Sequence, residues 1–162
     1  MNKQTIITQW LKQCPILQDL WNISAYEQDG ANVIMPSGTS YRRSITDERF
    51  NVLGEYEANI VPLPSVYEEY QINCYRTIAE NNNDFNTLNF EDVDNVIDWI
   101  TQQDDIGNFP QFENAKVIAV ECFPFIPQIR GIDPDTNLIC YYITLRITYV
   151  NTAKPRVIEY DV

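Results

Sequence analysis

Carboxylates that lie close together along the chain are the side chains of this sequence best suited to acid–base or metal chemistry. The candidate pairs are Glu68-Glu69, Asp92 with Asp94, and Asp104-Asp105. Paired carboxylates supply the acid and the base of glycosidases, or oxygen ligands for hard cations. Adjacent residues of a strand point to opposite faces, so Glu68 and Glu69 are not expected to converge on one substrate.

Helical spacing gives one further pair, because Asp94 and Asp98 are four residues apart on a predicted helix. On the polar face of a helix this spacing is typical of a solvated stripe, so we expect no metal site. Histidine, the commonest general base, is absent from the chain, which excludes the usual catalytic triads. The chain also lacks the glycine motifs that hold phosphates. We therefore expect no enzyme and no cofactor.

The four cysteines are widely separated and have no C-x-x-C spacing: they are Cys14, Cys74, Cys122 and Cys140. A zinc site needs four ligands at characteristic spacings, and no histidine is present to complete one. Each cysteine also has apolar neighbours in the sequence. We expect reduced thiols packed as small hydrophobic side chains.

The charge of the chain is strongly acidic, with a formal net charge of -12 and a pI near 4.2. This balance repels phosphate backbones, and the only adjacent basic pair is Arg42-Arg43. Tight nucleic-acid binding is therefore not expected. No apolar run reaches the length of a membrane span, and the N-terminus lacks a signal-peptide pattern, so we expect a soluble protein without a membrane partner.

The 162 residues, 44% of them hydrophobic, fit a single domain over residues 1–162. Apolar residues at helical spacing predict a helix over residues 5–21, broken near Gln13 because Pro15 begins a second short turn. A strand is predicted at residues 32–35, ending at Pro36-Ser37-Gly38. Residues 37–64 then predict a long loop or a loosely paired hairpin extension.

The rest of the chain predicts a strand at residues 65–79 and a second helix that Asn89 caps and that ends before Gly107. The apolar stripe of this helix is Phe90, Val93, Val96, Ile97 and Ile100. A strand at residues 117–120, a proline-rich stretch at 123–127 and a turn at 133–136 follow. The clearest strand spans residues 138–150, and a short one is predicted at 156–160. The fold class is α+β: a mixed, mostly antiparallel β-sheet with the helices packed on one face.

Four stretches carry a resemblance to a known family: PSVYEEYQINCY at 64–75, VIDWI at 96–100, NFP at 108–110 and YITLRITY at 142–149. This layout resembles the tail-terminator or minor capsid (head-tail junction) proteins of tailed phages and phage-like tails. The resemblance covers most of the chain. It implies a tail-terminator-like α+β subunit that forms a hexameric ring, caps the tail tube and joins it to the head connector.

The resemblance further implies a virion protein of the tail or neck, assembled in the host bacterial cytoplasm. Its partners would be other copies of itself, the tail tube protein and a head connector or head-completion protein. DNA would only pass through the ring, whose acidic lumen does not hold phosphate, although surface solubility explains the same acidity. The candidate contacts with neighbouring subunits or partners are Arg42, Arg43, Arg49, Glu68, Glu69 and Arg146.

A closed ring needs two different contacting patches on each subunit, and we expect an edge strand at residues 65–79 or 138–150 to supply one. Two other function classes remain open. One is another head-tail junction or tail-completion protein, which differs in ring order and partner. The other is an enzyme or small-ligand binder, which needs a concave pocket with converging polar groups.

Overall fold

The computed structural model describes residues 2–18, 21, 31–42, 65–77, 83–133, 135 and 137–152, with the side chains of residues 37–42 and 83–88 outside this description. The described helices are α1 (Lys3–Leu11), a short 3-10 helix (Pro15–Leu17) and α2 (Asn83–Ile106). The strands are β1 (Asn32–Arg42), β2 (Ser65–Thr77), β3 (Ala115–Cys122), β4 (Gln128–Asp133) and β5 (Leu138–Asn151). These elements confirm the predicted α+β class.

The five strands form one sheet with the order β1-β2-β5-β3, and β4 also pairs with β5. Every pairing between these strands is antiparallel, whereas the prediction was a mixed, mostly antiparallel sheet. The first part of β5 pairs with β4 and the later part with β3, so β3 and β4 occupy the same side of β5. An isolated parallel bridge joins Trp21 to Asn32 beside β1.

The prediction that β2 or β5 forms a sheet edge was wrong, because these two strands are the centre of the sheet. β2 lies between β1 and β5, and β5 lies between β2 and the β3/β4 side. They are 13 and 14 residues long, and around Tyr75 and Cys140 they are buried on both faces. Long strands with much apolar surface stabilise a sheet most when neighbours cover both of their edges. The outer strands are therefore β1 and the β3/β4 pair.

Both helices pack on one face of the sheet, as predicted. The alternation predicted for β5 is confirmed, since every second residue from Ile139 to Tyr149 belongs to the main core cluster. Val66, Ile72 and Cys74 of β2 point to the same face. On the opposite face the described chain has a small second cluster, which consists of Ala31, Val33, Tyr75 and Cys140.

The first helix breaks where the sequence predicts. Asn2 caps α1 by accepting a hydrogen bond of 2.8 Å from the backbone N–H of Thr5, and the helix ends at Leu11. Pro15 then occupies the first position of the short 3-10 helix. Proline suits this position because the backbone N–H that it lacks would have had no partner within the helix.

The predicted start of the second helix was wrong, because α2 begins at Asn83 and not at Asn89. Asn89 lies inside the helix, 6% exposed, and its side-chain amide donates to the carbonyl of Thr77 at the end of β2. A buried side-chain amide needs a hydrogen-bond partner, and the Thr77 carbonyl provides one for Asn89 inside the helix. The predicted end before Gly107 is confirmed. Of the predicted stripe, only Phe90 is exposed, at 39%.

β1 continues past the predicted stop at Pro36 and reaches Arg42. Its register with β2 shifts between Pro36 and Ser40, so the turn-forming residues produce an irregularity within the strand and do not end it. Residues 37–42 thus belong to a hairpin-like extension and not to a loop. The remainder of the predicted loop, residues 43–64, and the predicted strand at 156–160 lie outside the described residues.

Candidate functional site

The carboxylate of Glu68 lies on the helix-covered face of the sheet, where three side chains donate hydrogen bonds to it. The ammonium of Lys3 in α1 is 2.7 Å from Glu68 Oε1, and the hydroxyl of Tyr149 is 2.9 Å from the same oxygen. The hydroxyl of Tyr70 donates to Glu68 Oε2 at 2.8 Å. Lys3 also contacts the face of the Tyr149 ring, with its nitrogen 4.5 Å from the ring centroid. The cluster ties the first turn of α1 to β2 and β5.

Titration in this cluster favours the charged pair. Burial disfavours the Glu68 carboxylate, but the hydrogen bonds from Lys3, Tyr70 and Tyr149 outweigh burial, so the pKa of Glu68 is lowered. Burial also opposes the Lys3 charge, and the bonds to Glu68 and Tyr149 still leave the pKa of Lys3 raised. Burial and the Glu68 hydrogen bond raise the pKa of Tyr70. A carboxylate held ionised in this way fixes structure and is a poor general base.

The guanidinium of Arg146 is the centre of a second cluster, on the face of the sheet opposite the helices. It donates to Glu69 Oε1 through Nη2 at 2.8 Å and through Nε at 3.1 Å. Its carbon lies 4.6 Å from the centroid of the Tyr67 ring and 5.5 Å from that of Phe123. Glu121 Oε1 is 4.0 Å away. Hydrogen bonding to Glu69 raises the pKa of Arg146. The cluster joins β2, β5 and the end of β3.

The predicted contact residues are therefore divided between surfaces. Glu68 and Glu69 do not converge, as expected from strand alternation, because each belongs to a different cluster on a different face. Arg146 and Glu69 are brought together. Arg42 is the last residue of β1 and pairs with Val66, and its side chain is not among those described. Arg43 and Arg49 lie outside the described residues.

The most exposed apolar part of the described chain is residues 123–132, which we call the apolar edge segment. Its five large side chains are each between 56% and 65% exposed: Phe123, Phe125, Ile126, Ile129 and Ile132. The described chain has three other exposed large hydrophobic residues, and these are scattered. With 150–250 Å² for a large aromatic side chain as a guide, the five leave on the order of 500 Å² of apolar surface open. Contiguous apolar surface is typical of an interaction site, and Ile129 and Ile132, two of these side chains, share one face of β4.

Sequence reasoning missed this segment because its prolines indicated only a connection between two strands. A signal was nevertheless present. Ten consecutive residues contain five large hydrophobic side chains and a single charge, Arg130, in a chain with 23 acidic and 11 basic residues. Such a run inside a single core is normally covered. Here its second half belongs to β4, which is an outer strand among the described residues, and Phe123, Phe125 and Ile126 precede that strand.

A groove of about 390 Å³ lies between α1 and the segment after α2. Trp10 is one of its lining residues, and the Trp10 indole donates to the carbonyl of Asn108 at 2.9 Å. Ile6, Phe109 and Pro110 add apolar lining, and glutamines add polar groups. The described lining also includes the carboxylate of Glu113, and it contains no serine, threonine or cysteine.

The four cysteines are free and buried, which confirms the packing predicted for them. Burial raises the pKa of Cys74 and of Cys122 to about 12, so both are thiols at neutral pH. Within the described part of the chain, no group of three His, Cys, Asp or Glu side chains is placed to hold a metal ion. The described helices include none that is long and apolar enough to cross a membrane.

No protein-family model matches this chain, and no curated protein matches its sequence.

Proposed function

We propose that this protein is a structural subunit of a phage or phage-like tail, which forms a ring, expected to be hexameric, at the head-proximal end of the tail tube. The ring caps the tube and joins it to the head connector, and DNA passes through its acidic lumen. In this proposal the subunit acts through shape and association, without a catalytic step, as a tail or neck component of the virion.

The apolar edge segment is the observation that carries the self-association. A soluble subunit that exposes on the order of 500 Å² of apolar surface is stabilised when a partner covers it. A standard interface buries about 800 Å² on each partner. Phe123 lies beside Arg146 on the face opposite the helices, and Ile129 and Ile132 lie on the helix-covered face, so one contact would cover a part of the segment. Its residues 128–132 belong to β4, whose outer edge pairs with no described strand and so has backbone groups available for pairing.

The polar clusters support a structural role. Glu68 is neutralised by Lys3, and Glu69 is paired with Arg146, so each carboxylate already has its partner within the subunit. Both clusters tie strands or helices together. The tail assignment itself rests on the resemblance of residues 64–75, 96–100, 108–110 and 142–149 to tail-terminator proteins. The net charge of -12 suits a lumen through which DNA moves without binding.

The test is the mass of the purified protein by light scattering, with and without isolated tail tubes, followed by negative-stain imaging of the tube ends. We expect a ring, alone or on tubes, and a cap at one end of each tube. A ring of another order that binds head connectors but not tubes would instead favour a head-completion or other junction protein. A monomer that ignores both partners would overturn the proposal and favour a small-ligand binder.

A further inference from the structure

The sheet has two outer sides, and both have strands with an open edge in the described part of the chain. On one side is β1, whose outer edge is contacted over its first residues, by the bridge from Trp21 to Asn32 and by the Gln4 side-chain amide, which donates to the Ile34 carbonyl at 3.0 Å. Beyond Pro36 this edge pairs with no described strand. On the other side is β4, whose outer edge pairs with no described strand. Open edges present unpaired N–H and C=O groups that can accept a strand from another chain.

The core face of the sheet continues onto β4, where it is no longer covered. Ile129 pairs with Tyr141 and Ile132 pairs with Ile139, so both isoleucines point to the helix-covered face. Tyr141 and Ile139 are 3% and 7% exposed, whereas Ile129 and Ile132 are 56% and 59% exposed. The apolar side chains on this face are therefore buried on β5 and exposed to solvent on the neighbouring strand β4. A neighbour that covers this face would extend the core across the contact.

The charges of the two edges favour a second copy of this chain as that neighbour. About one residue in seven is acidic, so 21 residues would carry about three carboxylates. The apolar edge segment and β1 together make up 21 residues and contain none, and their only charges are Arg130 and Arg42. Two copies with a net charge of -12 each repel one another, and these two strands together contain a single carboxylate, that of Asp133 at the end of β4, so contact through them adds little further repulsion.

We infer that the outer edge of β4 in one copy pairs with the outer edge of β1 in the next, so that the sheet continues from subunit to subunit and Ile129 and Ile132 become buried. The two edges are on opposite sides of the sheet, so the contact is heterologous, the type of contact from which a closed ring is built. Pairing of β4 with β4 would be isologous and would stop at two copies. The inference rests on the proposed function for the existence of the ring.

The first test places a charge in the contact. Ile129→Lys is expected to raise the dissociation constant of the ring at least about tenfold, because an unpaired ammonium would have to be buried. Ile106→Lys is the matched control, since Ile106 is 73% exposed at the end of α2 and belongs to neither β1 nor β4, and the ring should survive. Light scattering gives the masses, and far-UV circular dichroism checks that both variants are folded.

The second test identifies the two edges directly and does not depend on a destabilising change. Pro36→Cys in β1 and Ile132→Cys in β4 are made separately, and the two proteins are treated with a short bismaleimide alone and mixed. The native cysteines are at most 7% exposed, so the wild-type protein is the unreactive control. We expect cross-linked dimers only in the mixture, and a ladder up to the full ring from the double variant.

The outcomes separate this inference from the proposed function. A wild-type protein that stays monomeric with and without tubes overturns the ring and the inference together. A ring that persists in Ile129→Lys, or that gives no cross-link in the mixture, overturns the inference and leaves the ring. Cross-linked dimers from Ile132→Cys alone would show β4–β4 pairing and would also overturn it.

Discussion

Replacing Glu68 by Gln removes the charge from a carboxylate that three side chains hold between α1 and the sheet. The substitution keeps the size of the side chain but converts one acceptor oxygen into a donor. That donor then faces either the Lys3 ammonium and Tyr149 or the Tyr70 hydroxyl, all within 2.9 Å of the present oxygens. The variant therefore loses the ion pair and at least one hydrogen bond.

The magnitude follows from these contacts and their exposure. A hydrogen bond to a charged group contributes about 1.5–3 kcal/mol. The Lys3 and Glu68 side chains are 40% and 22% exposed, so solvent replaces part of the loss and the ion pair itself contributes at most about 1 kcal/mol. We expect Glu68→Gln to lower the free energy of unfolding by about 2 kcal/mol, which corresponds to a Tm lower by about 4–8 °C.

The stability difference between wild type and Glu68→Gln should also depend on pH. The pKa of Glu68 is lowered in the folded protein from an ordinary value of 4.5, so its stabilisation is present above pH 4.5 and is lost as the pH falls through the folded pKa. The difference between wild type and Glu68→Gln should therefore shrink on acidification below that value. Urea unfolding followed by tryptophan fluorescence at pH 7 and at acidic pH measures it.

The control is Glu121→Gln, which makes the same chemical change on the same sheet. Glu121 is 48% exposed and its closest described cation, Arg146, is 4.0 Å away, so we expect a change within about 0.5 kcal/mol. Equal effects of the two substitutions at pH 7, or a Glu68 effect that is unchanged in acid, would refute the account of the cluster.

Two further predictions concern the same core. Tyr70→Phe should lower the free energy of unfolding by about 1–2 kcal/mol at pH 7, since it removes a hydrogen bond to a carboxylate. The pKa of Tyr70 is raised in the folded protein, so unfolding releases a proton above pH 10.0 and the difference from wild type should shrink at alkaline pH. A difference in urea unfolding that stays constant with pH would contradict this. Ile143→Ala should lower the free energy of unfolding by about 2–5 kcal/mol, because Ile143 is buried in β5. Ile118→Ala, at a site that is 46% exposed, should lower it by less than about 1 kcal/mol. Thermal unfolding compares the two variants, and similar values would contradict the assigned core.

Local pattern was sufficient for the elements whose periodicity is long. β5 was predictable because apolar residues occupy every second position from Ile139 to Tyr149, a spacing that fits a strand and does not fit a helix. The break of α1 was predictable because Pro15 acts through covalent geometry alone. Both signals are contained in the segment itself and need no knowledge of its neighbours.

Features that depend on neighbours were not predictable in this way. Asn89 has the chemistry of a cap, but the carbonyl of Thr77 that it reaches belongs to another element. The turn formers after Pro36 do not end β1, because pairing with β2 resumes at Ser40 after a shift in register. Strand order also depends on neighbours. β2 and β5 lie at the centre of the sheet, and nothing in the sequence of either strand alone shows which strands flank it.

The candidate surface depends on strand order more than on any motif. Ile129 and Ile132 would be ordinary core residues if one more strand lay beyond β4, and the same side chains form exposed surface because β4 is at the edge. Glu69 and Arg146 show the converse. A carboxylate and a guanidinium that sequence alone offers as intermolecular contacts are paired with each other across β2 and β5. In the described part of the chain the charged pairs Lys3–Glu68 and Glu69–Arg146 join elements within the subunit, whereas Ile129 and Ile132 on the outer strand β4 remain exposed.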